Sequence, residues 1–189
     1  QPDCVRYHAA GCVTDLLVSP MSLNALHTLA SLDPKTGGPA RTVPGLCQHL
    51  RAVRPTWHVE LTTTSAGLQG AANVIPPTLL HDHGQWLRLN HASAIMARRR
   101  GVPRIVTPRG MLSPWALRHR RWKKLAAWYT YAKRDLAEAV VIHATSELEM
   151  HELRELGVRQ PIAVIPNGVE EIVLQDAPPV VAQLRPRVR

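Results

Sequence analysis

Apolar residues fall in short runs along this chain, and each run is bounded by polar or turn-forming residues. Short runs rich in β-branched side chains are typical of strands, and apolar positions three and four residues apart are typical of helices. We predict strands over residues 23–32, 58–64, 79–83, 104–107, 140–144 and 162–165. We predict helices over 40–52, 90–100, 146–156 and within 115–138, and a loop over 65–77.

Capping residues support several of these helices. Asn90 is a candidate N-cap, and Gly101 is suited to the left-handed position that ends the same helix. Ser146 with Glu149 forms a capping-box pattern, and Gly157 closes that helix. Strands that alternate with helices indicate an α/β fold. We therefore predict a Rossmann-like, doubly wound, mostly parallel sheet with helices on both faces.

The segment 120–136 divides into two faces when it is placed on a helix. One face is apolar and is predicted to be core, and the other is basic. The apolar residues are Trp122, Leu125, Tyr129, Ala132 and Leu136; the basic ones are Arg120, Lys123, Lys124 and Arg134. The basic face is either an ordinary solvated surface or a contact with an anionic membrane.

The net charge of the chain and its distribution indicate which classes of molecule the protein binds. The chain has 189 residues and a net charge of +9, and residues 91–134 hold twelve lysines and arginines but no acidic residue. This asymmetry favours phosphates, an anionic membrane or nucleic acid. The sequence carries no nucleic-acid reading motif, so we expect no specific nucleic acid as a partner.

The termini and cysteines bear on organisation and location. We expect residues 1–20 to be an upstream extension, with natural translation beginning at Met21. The domain is predicted over 21–175, and the proline-rich 176–189 is interpreted as a linker towards a missing C-terminal domain. No apolar run is long enough to span a membrane, and the three cysteines indicate reduced thiols, so we expect a cytoplasmic protein, with peripheral attachment at the inner face of the membrane as the alternative.

Polar residues follow four of the predicted strands. His81 and His83 close one strand, and Arg109 follows the next. The motif at 144–149, which contains Glu149, follows the third, and Asn167 follows the last. Gly37 and Gly38 lie between the first strand and its helix. The carboxyl ends of parallel strands form the ligand crevice of an open sheet, so these residues are predicted to share one site.

Each candidate residue also has a structural interpretation. Gly37 and Gly38 either admit a phosphate to a helix N-terminus or form an ordinary turn. His81 and His83, on one side of their strand, either hydrogen-bond a sugar hydroxyl, act as a polar relay, or fill a structural role. The two histidines could bind a metal, but no third ligand pattern follows in the sequence, so we expect no metal. Arg109 binds a carboxylate or phosphate, or pairs with Glu147, Glu149 or Asp82.

Five motifs in a fixed order resemble the N-terminal half of family 4 glycosyltransferases, which are GT-B enzymes that build bacterial surface polysaccharides and lipid-linked sugars. The motifs are SLDPKTGGPAR at 31–41, HDHGQW at 81–86, PRGML at 108–112 with PWAL at 114–117, ATSxxE at 144–149 and IPNGV at 165–169. The resemblance covers about residues 21–171. It implies two Rossmann-like domains that face a cleft, with the acceptor held by the N-terminal domain.

The resemblance also implies roles for individual residues. Gly37 and Gly38 would approach the donor diphosphate, and His83 with His81 would lie near the transferred sugar as catalytic residues. Acceptor-binding residues would be Arg109, Glu149 and Asn167. A nucleotide sugar is the implied co-substrate, and no metal is implied.

The resemblance implies a second, donor-binding domain, which we expect to be missing from the chain. We therefore expect the chain to be inactive alone or completed by a separate C-terminal donor-binding chain. The alternative function is a non-catalytic module that binds a membrane surface through Arg120, Lys123, Lys124 and Arg134.

Overall fold

Six strands and seven α-helices make up the part of the chain that the computed structural model describes, residues 22–119 and 121–168. The strands are β1 (Asn24–Leu29), β2 (His58–Thr62), β3 (Leu79–His83), β4 (Arg104–Thr107), β5 (Val141–Ala144) and β6 (Ile162–Val164). The helices are α1 (Pro39–Val53), α2 (Ser65–Val74), α3 (Arg88–Arg100), α4 (Pro114–Arg118), α5 (Arg121–Ala127), α6 (Lys133–Ala137) and α7 (Glu147–Glu155). A 3-10 turn (Pro34–Thr36) precedes α1, and a π-helical turn (Trp128–Ala132) joins α5 to α6.

All six strands form one sheet in the order β2-β1-β3-β4-β5-β6, and every neighbouring pair is parallel. Alternate residues of β1 pack in opposite directions. Ala25 and Leu29 pack with Val43 of α1, whereas Leu26 packs with Leu68 of α2 and with residues of α3. Helices therefore cover both faces, and the predicted α/β class is confirmed.

The prediction of a loop at 65–77 is wrong, because α2 occupies most of it. Thr64 caps this helix by accepting a hydrogen bond from the Gly67 N–H at 2.9 Å. Leu68 and Ala72, four residues apart, are buried in the core. The two glycines within the segment suggested a loop, but burial of this apolar stripe stabilises the helix more than the glycines weaken it.

Two caps differ from the prediction. Asn90 is not the N-cap of α3, because the helix begins two residues earlier and Leu89 is already buried in its first turn. The Asn90 side chain instead accepts a hydrogen bond from the Leu87 N–H at 3.2 Å. Ser146 caps α7 as predicted, by accepting from the Glu149 N–H at 3.1 Å, but the Glu149 carboxylate does not complete the capping box. Gly101, with a φ of 64°, ends α3 as predicted.

The predicted core face of the segment 120–136 is wrong for its first half. Ala132 and Leu136 are buried, but Trp122, Leu125 and Tyr129 are 72%, 50% and 77% exposed. The π-helical turn explains the difference, since Lys133 N–H bonds to the carbonyl of Trp128, five residues back. This turn takes one extra residue, which rotates α5 by about 100° relative to α6.

A buried ion pair connects the strands on the face opposite His81 and His83. Arg104 Nη1 lies 2.7 Å from Asp82 Oδ2, and the Thr28 hydroxyl donates to Asp82 Oδ1 at 2.7 Å. Burial raises the pKa of the Asp82 carboxyl, and Arg104 and Thr28 act against that rise. Removing either charge would leave the other buried and unpaired, so the pair holds β1, β3 and β4 in place.

Several predictions fall outside the described residues. These are the extension at 1–20, the linker at 176–189, the outer limits of the 21–175 domain, and Arg120. Cys47 is described and is a buried free thiol. Among the described helices, none has the length and apolar character needed to cross a bilayer.

Candidate functional site

Two neighbouring strands bring three histidines together near the carboxyl edge of the sheet. In the parallel register of β1 and β3, His27 lies beside His81 and Leu29 lies beside His83. The ring of His27 is stacked on that of His83 with centroids 5.3 Å apart, and the His81 and His83 centroids are 4.2 Å apart. We call His27, His81 and His83 the histidine cluster.

The histidine cluster is neutral at ordinary pH. All three side chains are buried, and His83 is only 1% exposed. Burial lowers the pKa of His27 to about 4, with a smaller contribution from Arg51. Burial also lowers the pKa of His81 and His83 well below 6.5, and the neighbouring histidines and Arg109 add to it. The rings therefore act as hydrogen-bond donors and acceptors and not as cations.

Hydrogen bonds fix the proton positions of His83 and His27. The Arg109 guanidinium is always a donor, and its Nη2 lies 3.2 Å from His83 Nδ1. His83 Nδ1 is therefore the acceptor, and the neutral ring carries its proton on Nε2. That proton is donated to His27 Nδ1 at 3.0 Å. Both nitrogens of His83 thus form hydrogen bonds, and the bond from Arg109 to His83 Nδ1 holds the guanidinium in place.

A second chain of hydrogen bonds fixes His81. His143 Nε2 donates to the Ile165 carbonyl at 2.8 Å, so its Nδ1 accepts from the Thr107 hydroxyl at 3.0 Å. The Thr107 oxygen in turn accepts from His81 Nε2 at 2.8 Å. These bonds leave the lone pair on His81 Nδ1 without a hydrogen-bond donor. It is the position at which the described rings can accept a hydrogen bond from a ligand.

Arg109 lies above the histidine cluster with a strained backbone. Its φ is 57°, a left-handed conformation that is uncommon for a residue other than glycine. Nη1 donates to the Asn167 side-chain oxygen and Nη2 to His83. The Nε–H is buried and finds no acceptor among the described residues. An oxygen of a bound ligand would satisfy this donor.

Glu149 joins the loop after β4 to the loop after β5. Its carboxylate accepts from the Gly110 N–H at 2.7 Å, from the Thr145 N–H at 2.7 Å and from the Thr145 hydroxyl at 2.8 Å. It forms no ion pair with Arg109, although its charge opposes the fall that burial causes in the pKa of Arg109. Glu149 therefore holds the Arg109–Gly110 turn in place through the Gly110 N–H.

The structure brings most of the predicted site residues together. Arg109 is bonded to His83 and Asn167, and Glu149 holds the adjacent Gly110. One alternative predicted from the sequence was an ion pair between Arg109 and Asp82. This alternative is wrong, because Asp82 pairs with Arg104 on the opposite face of the sheet.

The glycine pair lies apart from these contacts. Gly37 and Gly38 follow β1 and lead into α1, which places them at the same carboxyl edge. No hydrogen bond within the described residues joins them to the histidine cluster. Gly37 has a φ of 113° that requires glycine, whereas Gly38 is in the ordinary helical region. A Cβ built on Gly38 meets nothing within 4 Å, so the space beside it is open.

The basic residues predicted for a membrane surface have different surroundings. Lys123 is exposed and lies 5.1 Å from the Trp122 ring. The Lys124 side chain turns towards α4, where its Nζ donates to the Ala116 carbonyl. Arg134 is paired with Glu138, with Nε 2.8 Å from Oε1.

Three neutral imidazoles could in principle hold a metal ion. One nitrogen of each ring in the histidine cluster lies within 4.8 Å of the others. However, His27 Nδ1 and His83 Nε2 share a proton, and Arg109 places a positive charge 3.2 Å from the other nitrogen of His83. A cation would have to displace that proton and lie close to a guanidinium, so the site suits an anionic or hydroxyl-bearing ligand better.

His27 and His143 were not found from the sequence. His27 is hidden within an apolar strand, and His143 lies in the interior of β5. The signal that would have identified His27 is the register between β1 and β3, which places it beside His81. That register requires the strand order, which the sequence pattern does not contain.

Comparison with known proteins gives one family. The sequence profile of the glycosyl transferase 4-like domain matches residues 4–168 of this chain. No curated protein matches the chain significantly.

Three solved structures of bacterial proteins match parts of this chain. S. aureus MnaA, solved with UDP, has a TM-score of 0.52 at 13% identity, covering 77% of this chain and 44% of that one. A putative UDP-N-acetylglucosamine 2-epimerase from Listeria monocytogenes has a TM-score of 0.49 at 11% identity, covering 82% and 50%. The UDP-GlcNAc 2-epimerase from Neisseria meningitidis bound to UDP-GlcNAc has a TM-score of 0.47 at 14% identity, covering 78% and 46%. This chain thus spans half or less of their lengths, and at these identities the likeness concerns the fold alone.

Proposed function

Because this chain belongs to the family of glycosyl transferase 4-like domains, we propose that it is the acceptor-binding half of a glycosyltransferase. The enzyme would move a sugar from a nucleotide-sugar donor to a polysaccharide or lipid-linked acceptor. The observation that carries the proposal is Arg109, which is held in a strained conformation by His83 and Asn167 with a buried donor unsatisfied. Strain and an unused donor at a strand end are typical of a ligand site.

Individual roles follow from the hydrogen-bond directions. Arg109 donates to an oxygen of the acceptor or the transferred sugar, with His83 and Asn167 as its positioning residues. His81 accepts a hydrogen bond from a sugar hydroxyl at Nδ1, the lone pair left unused. Glu149 keeps the Arg109–Gly110 turn in place. The proposed reaction uses no metal, which the positive charge of Arg109 beside His83 supports.

The donor diphosphate is assigned to Gly37 and Gly38. Support comes from their position at the start of α1, where helix N–H groups favour phosphate, and from the open space beside Gly38. A UDP-linked donor is supported by the similar fold of S. aureus MnaA, which was solved with UDP. The rest of the donor site is assigned to a second Rossmann-like domain, in the same protein or in a separate chain, and we propose that residues 22–168 do not complete transfer without it.

Calorimetric titration with UDP-GlcNAc tests the donor assignment. Gly38→Asp places a carboxylate in open space beside the proposed diphosphate, and we expect binding to weaken at least about tenfold. Gly70→Asp is the matched control, since Gly70 is also exposed with open space around it but lies on α2. Equal affinity of the two variants, or no saturable binding by the unmodified chain, contradicts the proposal.

A second candidate function is attachment to the inner face of a membrane as a non-catalytic module. The observation that favours it is the exposure of three aromatic residues, Trp115, Trp122 and Tyr129, beside the basic residues of α5. Exposed tryptophans next to lysines suit the headgroup region of an anionic bilayer.

Liposome co-sedimentation separates the two candidates. Lys123→Glu should reduce binding to vesicles that contain phosphatidylserine, because Lys123 is exposed on α5. Arg99→Glu, which changes another exposed cation, on α3, is the control and should have little effect. Equal loss with both variants would indicate attraction by net charge alone. Vesicle binding without any nucleotide-sugar binding would favour the non-catalytic module.

A further inference from the structure

A groove of about 240 Å³ lies between the loop after β3 and the helical segment formed by α5 and the π-helical turn. Trp86, Trp128 and Tyr129 supply its aromatic walls, and Arg121 and Lys124 supply two cations. We call this the tryptophan groove. Its remaining lining is leucine, and no acidic side chain lines it within the described residues. The groove therefore combines apolar surface with uncompensated positive charge.

Trp86 is fixed in the wall of the tryptophan groove. Its φ of 76° is left-handed, and its indole N–H donates to the Met111 carbonyl at 3.1 Å. The Tyr131 hydroxyl donates to the Trp86 carbonyl at 3.5 Å, and the Trp128 ring lies 6.1 Å away at 49°. A strained residue held in place by several contacts is typical of a surface that meets a ligand.

The cations of the groove lack an anionic partner. Lys124 Nζ lies 5.7 Å from the centre of the Trp86 ring, and burial lowers its pKa. The Arg121 side chain forms no ion pair or hydrogen bond within the described part of the chain. A bound anion would offset the cost of holding Lys124 partly out of water.

We propose that the tryptophan groove binds an anionic lipid, in which an apolar chain carries a phosphate or diphosphate. The cations contact the phosphate, and the aromatic walls contact the first carbons of the chain. The volume lies below the ~300–1,000 Å³ of sites that enclose a whole small molecule, so most of the chain remains outside. Trp122, exposed on the same helix, provides an apolar surface beside the groove.

The tryptophan groove is linked to the candidate site through the loops after β3 and β4. Trp86 is three residues beyond His83, and its partner Met111 follows Gly110, which Glu149 holds. Trp86, in the loop after β3, thus lines the groove, and the loop after β4 carries both Arg109 and the Met111 carbonyl that fixes Trp86. Identification of the lipid as the sugar acceptor rests on the proposed function, but its binding does not.

Calorimetry with decyl phosphate, below the concentration at which it forms micelles, tests the proposal on the 189-residue chain. We expect saturable one-to-one binding at least about tenfold tighter than that of decanol or inorganic phosphate alone. Lys124→Gln should weaken it at least about tenfold. Lys123→Gln, which removes the neighbouring cation outside the groove, should change it less than about twofold. Tyr129→Ala, at an exposed position of the groove wall, should also weaken binding and tests the site if Lys124→Gln fails to fold.

Several results would overturn the proposal. If decyl phosphate binds no more tightly than decanol or inorganic phosphate, the groove does not bind the apolar chain and the phosphate together. Equal effects of Lys123→Gln and Lys124→Gln would indicate a diffuse basic surface. A dimer that Lys124→Gln dissociates would show that a second copy occupies the groove. Decyl phosphate binding without UDP-GlcNAc binding would uphold the groove and contradict only the proposed function.

Discussion

Arg109 and Trp86 adopt left-handed backbone conformations in the loops that follow β4 and β3. Such a conformation costs of order 1–3 kcal/mol for a residue with a side chain, and surrounding contacts must offset it. Around Arg109 those contacts are His83, Asn167 and the Glu149 carboxylate behind Gly110. The guanidinium is thereby preorganised, so a ligand that binds it does not have to order a flexible side chain.

Charge on Arg109 contributes to the low pKa values beneath it. Arg109→Gln removes a positive charge from His81, His83 and His143, so we expect all three pKa values to rise while staying below 6.5, because burial remains. Arg51→Gln is the control and should raise the pKa of His27. Histidine signals followed by NMR as a function of pH would measure these changes. Unchanged pKa values for His81 and His83 in the Arg109 variant would contradict this electrostatic coupling.

The pH dependence of stability follows from the buried histidines. His27 has a folded pKa of about 4 and an unfolded pKa of 6.5, so the unfolded chain binds a proton that the folded chain excludes. The related stability is complete above pH 6.5 and is lost as the pH falls towards 4. Urea unfolding should show a slope steeper by up to about 1.4 kcal/mol per pH unit for the unmodified chain than for His27→Gln. Parallel curves would mean that His27 is not buried in its neutral form.

Sequence patterns identified part of the residue-scale arrangement. The sequence motifs contain five polar residues that the structure places close together, namely His81, His83, Arg109, Glu149 and Asn167. The hydrogen-bond directions were not visible, because they depend on which groups meet across strands. His27 shows this well, since only the β1–β3 register places it beside His81.

At the scale of elements, α2 shows where local propensity is overruled. Gly67 and Gly70 suggested a loop, yet both are in the helix. A Cβ on Gly67 would lie 2.3 Å from the Thr62 hydroxyl and 3.0 Å from that of Thr64, whereas one on Gly70 meets nothing within 4 Å. Gly67→Ala should destabilise the domain by about 1 kcal/mol, since it displaces the Thr64 cap. Gly70→Ala should stabilise it by roughly 0.5–1 kcal/mol. Thermal unfolding of both variants would measure these changes in stability. If both variants were stabilised, or both destabilised, the result would contradict the packing of α2.

The π-helical turn gives a second element-scale prediction. A regular helix would bury Trp122 together with Leu136, but the structure exposes Trp122 and buries Leu136. Trp122→Ala should therefore change the free energy of unfolding by no more than about 0.5 kcal/mol. Leu136→Ala should cost about 2–5 kcal/mol. Comparable large losses in both variants, measured by urea unfolding, would show that the helix is regular. Sequence periodicity assumes a constant helical repeat, so it cannot locate a turn with an extra residue.

For the whole molecule, the α/β class and the parallel sheet followed from alternating runs, because a buried parallel strand and an amphipathic helix have different periods. The order β2-β1-β3-β4-β5-β6 did not follow, since many orders satisfy the same pattern. The proximity of the loops that carry the candidate residues was nevertheless predictable, because parallel strands present all their carboxyl ends at one edge in any order. The exposed aromatic surface of α5 was not, because it depends on the π-helical turn.

The most direct measurement is the location of a bound nucleotide sugar on the labelled chain by NMR. Addition of UDP-GlcNAc should shift the signals of Gly37, Gly38, His81, His83 and Gly110, which lie at the carboxyl edge of the sheet. Gly101 and Val140, in a depression of about 320 Å³ before β4 and β5, should not change. Shifts confined to that opposite edge, or no shifts at all, would contradict a sugar-transfer site at the carboxyl edge.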